Sequence, residues 1–163
     1  MSLEPLSAFP DEARVWVFGA SERPAQEAVA RLRDSMARFL ERWTAHRAEL
    51  RAGFDWLDDR FLVVAVDETG AGASGCSIDA LTDQIRRLED DAGVTLIDAA
   101  PVWYRDDDGE IRRVARDEFR HLAAAGEVGP RTRVFDLTID RLGTLRTGTW
   151  ETEAGRSWHA ALL

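Results

Sequence analysis

Six consecutive apolar residues, 61–66 (Phe-Leu-Val-Val-Ala-Val), constrain the fold of this chain more than any other feature. Successive side chains of a strand point to opposite faces, so an unbroken apolar run predicts a strand buried on both faces or placed centrally in a sheet. The preceding residues 51–56 alternate with period two and predict a half-exposed strand. Because Asp58-Asp59 between the two segments is typical of a turn, we expect a β-hairpin.

Helical periodicity lies on either side of this hairpin. Residues 14–18 predict a first strand, and apolar residues then recur every three or four positions over residues 25–43, which predicts the first helix. A second helix is expected to begin near residues 76–77 and to stop at Gly93. Residues 94–97 and 102–104 predict one more strand.

The order strand, helix, strand, strand, helix, strand is the β-α-β-β-α-β pattern of a ferredoxin-like α+β sandwich. In that fold the first and third strands occupy the centre of the sheet, and here they are the more apolar ones. We assign this sandwich to residues 1–105. Residues 106–163 predict a mixed, β-rich C-terminal extension packed on it, with strands at 110–114, 132–135 and 144–150 and a short helix at 117–125.

Composition narrows the possible partners. The 163 residues carry a net charge of -9, and all 21 basic residues are arginines. A surface this acidic repels phosphate backbones and anionic lipids, which argues against nucleic acids and membranes as partners. No apolar run approaches the roughly 20 residues that span a bilayer, and the first residues lack the pattern of a secretory signal.

The cysteine and histidine content limits redox and metal chemistry. A single cysteine cannot form an internal disulfide, which fits a reducing compartment, so we expect a cytoplasmic protein. The three histidines show no compact metal-ligand spacing. No metal and no cofactor are therefore predicted.

The best candidate site surrounds the only cysteine, Cys76, in the segment Ala-Ser-Gly-Cys-Ser-Ile-Asp at residues 73–79. Where a loop becomes a helix, its sulfur would lie beside free backbone N–H groups and the positive end of the helix dipole, which favour a thiolate or a bound anion. Ser74, Gly75, Ser77 and Asp79 would complete this anion site. The alternative is that Cys76 only packs and that the serines and Asp79 only cap the helix.

Four further residues are assigned to this site on their chemistry. His46 or His159 would be the base that activates Cys76 as a nucleophile. Asp67 follows the buried strand and would supply a carboxylate, and Trp158 precedes His159. The simpler alternatives are a solvated turn for Asp67 and a core position for Trp158.

Residues 70–75 (Gly-Ala-Gly-Ala-Ser-Gly) match the G-x-G-x-x-G pattern of dinucleotide-binding loops, with Asp98 at the end of a possible strand. In such loops the first glycine follows the strand directly, whereas Asp67-Glu68-Thr69 intervene here and would put two carboxylates near the phosphates. The chain also has too few β-α units for a doubly wound sheet. A flexible Gly/Ala loop is the preferred interpretation.

Four segments carry a resemblance to a family: Trp43-Thr44-Ala45-His46, residues 60–68, residues 73–79 and Ser157-Trp158-His159. There the chain resembles a family of small uncharacterised bacterial proteins, some of which are labelled "ABC transporter ATPase". The resemblance extends over nearly the whole chain and implies a shared fold and a shared site around Cys76, but no reaction. The label conflicts with the sequence, because a P-loop ATPase needs the lysine of Gly-x-x-x-x-Gly-Lys and this chain has no lysine.

Three functions remain open. The leading hypothesis is a regulatory or binding module that holds a small anionic ligand at the Gly75-Cys76-Ser77 turn. The first alternative is a thiol enzyme, in which Cys76 attacks an electrophile and His46 or His159 takes the proton. The second is a structural protein that forms homodimers through an exposed strand edge or sheet face.

Overall fold

The computed structural model describes residues 5–45, 51–70, 75–98 and 101–163. The chain divides into two compact units, Met1–Ile97 with Asp140–Gly143, and Asp98–Ile139 with Thr144–Leu163. Its class is α+β, as predicted, with four α-helices and two antiparallel sheets in the described residues. No helix in this part of the chain is long and apolar enough to cross a membrane.

The first unit contains three strands and two long helices, which are β1 (Arg14–Gly19), α1 (Gln26–Ala45), β2 (Arg51–Leu57), β3 (Phe61–Asp67) and α2 (Gly75–Ala92). The strands form an antiparallel sheet in the order β1-β3-β2. All residues of the central strand β3 are buried, which confirms the prediction from its apolar run. The predicted hairpin is also confirmed, and Asp58 and Asp59 in its turn have φ values of 51° and 54°, which aspartate tolerates.

The core of this unit lies between one face of the sheet and the two helices. Alternate residues of β3 pack with residues spaced three or four apart on α1 and α2. The buried members include Leu62, Val64 and Val66 on β3, Leu32, Met36 and Leu40 on α1, and Leu81, Ile85 and Leu88 on α2. The amide Nε2 of Gln84 donates to Ser35 Oγ at 3.0 Å, so this buried polar side chain of α2 is satisfied by α1.

The strand predicted at residues 94–97 is wrong. Val94 and Leu96 are buried, but Thr95 is joined to Ser21 by two hydrogen bonds, from Ser21 N to Thr95 O at 2.8 Å and from Thr95 N to Ser21 Oγ at 2.9 Å. Because the second bond uses a side chain, no strand ladder forms there.

The predicted last strand of the sandwich, β4 (Pro101–Arg105), pairs in the second sheet. Among the described residues β1 therefore lies at the edge of its three-stranded sheet, not at the centre as predicted. A segment from later in the chain bonds to the start of β1, through Val15 N to Asp140 O at 3.1 Å and Leu142 N to Ala13 O at 2.9 Å. A complete ferredoxin-like sheet is not confirmed.

The second unit contains a sheet of four short strands, in the order β5-β4-β6-β7. Its further elements are β5 (Ile111–Ala115), α3 (Arg116–Ala124), β6 (Arg133–Phe135) and β7 (Glu151–Glu153). The predicted strands near 110–114 and 132–135 and the helix that stops before Gly126 are confirmed. Val102, Phe119, Val134, Ala154 and Leu162 form the buried core of this unit.

The strand predicted at residues 144–150 is wrong. The short helix α4 (Leu142–Arg146) lies there, followed by a turn in which Gly148 has a φ of 73°. The hydroxyl groups of Thr147 and Thr149 both donate to the carbonyl of Thr144, at 3.1 and 3.4 Å. The same threonines that suggest a strand therefore form local hydrogen bonds that compete with a strand ladder.

Candidate functional site

The predicted site at Cys76 lies on the first turn of α2. The helix begins at Gly75, close to the predicted start, and the thiol of Cys76 is free and exposed. Gly75 and Asp79 are also exposed, whereas Ser77 is buried. Ser74 lies outside the described residues, so its predicted role stays a prediction.

Asp67 ends β3 and is buried, with its carboxylate held by three donors. Oδ1 accepts from the Thr69 amide at 3.0 Å and from the Thr69 hydroxyl at 2.7 Å, and Oδ2 accepts from Arg51 Nη1 at 3.2 Å. These bonds from Thr69, together with the Arg51 charge, hold the pKa of Asp67 below its ordinary value. Asp67 thereby fixes the start of the loop that leads toward α2.

His159 and Trp158 lie together in the second unit. The His159 imidazole is fully buried, its Nδ1 lies 2.7 Å from Ser157 Oγ, and its ring stacks on Trp158 with a centroid distance of 3.8 Å. Burial lowers the pKa of His159 to about 4, despite the opposing effect of Asp136. His159 is therefore neutral at pH 7.

The bonds of Ser157 also indicate the tautomer of His159. Ser157 Oγ accepts from the His159 amide at 3.3 Å, and it can donate to the Ala154 carbonyl at 3.4 Å. A proton on Nδ1 fits this arrangement, because it leaves Nε2, which has no partner among the described residues, as a bare acceptor rather than an orphaned donor.

The structure thus forms two separate groups from the predicted site residues. Gly75, Cys76, Ser77 and Asp79 share the first turns of α2 in the first unit, with Asp67 in the same unit, and Trp158 and His159 pack on each other in the second unit. His46 lies outside the described residues. A common site for all of them stays a prediction.

A different group of residues lines a cavity of about 470 Å³ in the second unit. Its walls come from the end of β4, the β4–β5 turn, the segment after α3 and the residues that lead into β6. Three arginines, Arg105, Arg131 and Arg133, line it, together with the acidic residues Asp106, Asp107 and Glu127. A volume of this size is typical of small-molecule sites.

Two of the three arginines stabilise the cavity wall. Arg105 donates to the Glu151 carboxylate, from Nε at 2.6 Å and from Nη2 at 3.3 Å, and its Nη1 donates to the Gly109 carbonyl at 3.1 Å. Arg133 Nη2 donates to the Glu151 carbonyl at 2.6 Å. These bonds join β4 and β6 to β7, and only the charge of Arg105 is paired with a carboxylate.

Arg131 differs, because its guanidinium forms no hydrogen bond or ion pair within the described residues. It is exposed and lies in a turn closed by Thr132 N to Gly129 O at 2.9 Å. Gly155 N donates to Pro130 O and Ala154 N to Thr132 O, both at 2.9 Å, which fixes the backbone on either side of Arg131. A guanidinium on an anchored turn suits a carboxylate or a phosphate, which it can bind with two parallel hydrogen bonds.

Tyr104 adds a neutral donor to this cavity. Its ring packs edge-on against Phe119 at 5.7 Å, and burial raises the pKa of Tyr104. The phenol therefore stays protonated at neutral pH and can donate to an anion. No group of three or more His, Cys, Asp or Glu residues in the described ranges is arranged to hold a metal.

Only a weak signal for this cavity is present in the sequence. Residues 106–109 (Asp-Asp-Asp-Gly) are typical of a turn, but the cavity depends on the pairing of β4 with β6, which lie far apart in the chain. The two arginines at 131 and 133 are the one local hint, although Arg131 lies in the turn before β6 and only Arg133 belongs to the strand.

Comparison with protein-family models, with curated proteins and with solved structures finds no match to this chain. The resemblance carried by residues 73–79 and the other three segments therefore stays a prediction.

Proposed function

We propose that this protein is a binding module for a small anionic molecule, and that the cavity of the second unit is its binding site. The observation that carries the proposal is the cavity of about 470 Å³ with Arg131 on its wall, free of any partner in the described residues. Arg131 would bind the anion through two N–H groups, and the protonated Tyr104 would donate a third hydrogen bond.

Four of the lining residues, Tyr104, Arg105, Thr132 and Arg133, favour binding over catalysis. Thr132 Oγ1 accepts from the Gly129 amide at 2.9 Å, Arg105 pairs with the Glu151 carboxylate, and Arg133 donates to the Glu151 carbonyl. Tyr104 stays protonated because its pKa is raised by burial. This leaves no activated nucleophile or general base among these four groups.

The proposal is tested by anion titration. Isothermal calorimetry with inorganic phosphate and with butyrate, at constant ionic strength, should give saturable binding with a dissociation constant on the order of 1 mM. Arg131→Ala should weaken it about tenfold, because a charge-assisted hydrogen-bond pair is lost. Arg120→Ala is the matched control, since Arg120 is an exposed arginine of the same unit that pairs with Asp117 and does not line the cavity.

The same titration followed by NMR separates this site from the turn predicted by sequence. Shifts that cluster at residues 104–109 and 127–133 support the cavity. Equal affinity in Arg131→Ala and the unmodified chain would refute it, and shifts at residues 75–79 that disappear in Cys76→Ala would favour the Gly75-Cys76-Ser77 turn.

The other sequence-based hypotheses remain as proposals with less support. A thiol enzyme needs a base at Cys76, but the imidazole of His159 is enclosed by Ser157, Trp158 and Phe119 of its own unit. A homodimer is tested by light scattering at several concentrations. We also propose a cytoplasmic location, supported by the exposed free thiol, and a three-strand variant of the ferredoxin-like arrangement for the first unit, supported by the order β1-β3-β2.

A further inference from the structure

The same cavity carries negative charge that the protein does not neutralise. Asp107 and Glu127 line it, both are exposed, and neither carboxylate forms a hydrogen bond or ion pair within the described residues. Their neighbour Asp106 is different, because its Oδ2 accepts from Arg112 Nε at 2.6 Å and its Oδ1 accepts from two backbone amides. Arg133, which also forms no ion pair within the described residues, donates to the Glu151 carbonyl, and this leaves three charged groups of the lining without any bond there: the cation Arg131 and the two anions.

Anchored backbone presents each of these three groups. The turn that carries Asp107 is held by the bonds from the amides of Asp108 and Glu110 to Asp106 Oδ1, at 3.0 and 2.9 Å. Glu127 follows Gly126, the glycine with a φ of 76° that ends α3, and its amide donates to the Leu122 carbonyl at 2.9 Å. The backbone that carries both acids is thus anchored at the wall of the cavity that Arg131 also lines.

A simple anion is not electrostatically complementary to this arrangement of charged groups. It would bind Arg131 but would also face two uncompensated carboxylates, which repel it. A ligand that carries an ammonium group beside its anionic group satisfies both signs of charge. A divalent metal is not indicated, because no cluster of three ligating side chains occurs in the described ranges.

We propose that the ligand is a small zwitterion, with a carboxylate or phosphate that binds Arg131 and a primary ammonium that binds Asp107 and Glu127. This inference rests on the proposed function of the cavity and specifies the class of its ligand.

Two pairs of nearly isosteric probes test it, namely β-alanine against butyrate and O-phosphoethanolamine against propyl phosphate. In each pair an ammonium replaces a methyl group, so size is held constant. At low ionic strength we expect the ammonium probe to bind about fivefold more tightly or better, the advantage of a favourable exposed ion pair. Calorimetry gives all four dissociation constants.

Substitutions show which residues cause the tighter binding of the ammonium probes. Glu127→Gln and Asp107→Asn should reduce the preference for the ammonium probes toward one, without weakening butyrate or propyl phosphate. Asp117→Asn is the matched control, because Asp117 is an exposed acid of α3 that does not line the cavity. Since all three positions are exposed, the unfolding midpoints should stay unchanged, which excludes loss of structure as the cause.

The outcomes distinguish the two proposals. If both probes of each pair bind equally and Arg131→Ala weakens both, the zwitterion is refuted while the anion site stands. If the preference persists in the doubly substituted chain, the assignment to Asp107 and Glu127 is refuted. If no probe binds, the cavity is not a ligand site and both proposals fail.

Discussion

Acid should lower the free energy of unfolding of this protein, because His159 takes up a proton when the chain unfolds. This loss should begin at a pH above that at which carboxylates titrate. The imidazole is fully buried and its pKa is lowered to about 4 by that burial, whereas an unfolded histidine has the ordinary value of 6.5. Because the pKa of the imidazole is lower in the folded than in the unfolded state, the unfolded chain binds more protons at a given pH. Its neutral form therefore favours folding above pH 6.5, and stability is lost as the pH falls from 6.5 toward 4.

The size of this loss of stability follows from the folded and unfolded pKa values of His159. One pKa unit corresponds to about 1.36 kcal/mol, so the complete shift from 6.5 to about 4 is worth roughly 3 kcal/mol below pH 4. Between pH 7 and pH 5 the expected loss is about 2 kcal/mol, because most unfolded chains are protonated at pH 5 and most folded ones are not. This is a substantial part of the 5 to 15 kcal/mol that is typical of native proteins.

The assay is urea unfolding at pH 7 and pH 5 for the unmodified chain and for His159→Phe. Phenylalanine keeps an aromatic ring against Trp158 and Phe119 but cannot titrate, so its loss between the two pH values should be smaller by about 2 kcal/mol. His121→Gln, at an exposed histidine, is the control and should retain the dependence of the unmodified chain.

NMR titration of the imidazole checks the same inference directly. The reasoning is refuted if the His159 ring titrates near 6.5, or if His159→Phe loses as much stability as the unmodified chain. His159→Gln serves in place of phenylalanine if that variant does not fold.

Three further predictions follow from single residues. Asp67→Asn should lower the free energy of unfolding by about 1 to 2 kcal/mol in urea, because Thr69 and Arg51 lose their charged acceptor. Asp83→Asn, which removes one acid of an exposed ion pair, is the control and should change it by less than about 0.5 kcal/mol. Equal effects of the two substitutions would contradict the role of Asp67. Gly126→Ala should lower the free energy of unfolding by about 1 kcal/mol or more, because φ is 76° at this residue. Gly75→Ala, with open space around its Cβ, should be neutral or stabilising. If Gly126→Ala is as stable as the unmodified chain, Gly126 does not act as the C-terminal cap of α3. A thiol reagent should label one cysteine per chain in native buffer and none in Cys76→Ser; labelling that requires urea would contradict the exposure of Cys76.

Local patterns predicted those elements whose formation depends on neighbours in the chain. The spacing of apolar residues identified α1 and α2, and the glycine after residue 125 marked the end of α3. Each of these is fixed by bonds within a few residues, so the sequence contains the necessary information.

The candidate site was predictable to a smaller extent. The sequence correctly predicted that Cys76 lies near the start of α2. It contained no sign that His159 is enclosed by Trp158 and Phe119, or that Arg131, which has no partner in the described part of the chain, lines a cavity together with two acids. Burial and charge pairing depend on side chains from distant segments, and residue types alone do not specify them.

By itself the sequence determined the α+β class, the hairpin around Asp58-Asp59 and the central position of β3, because each follows from a period of two or of 3.6 residues and from turn chemistry. Tertiary structure decided which sheet receives β4. Pairing with β5 and β6 puts that strand in the second sheet, so β1 is an edge strand among the described residues. It also places Arg105 and Arg133 on adjacent strands, with the turn of Arg131 just before β6. Strands that are far apart in the chain have similar local propensities, so local sequence does not determine which of them pair. The cavity therefore depends on the pairing that the folded structure adopts.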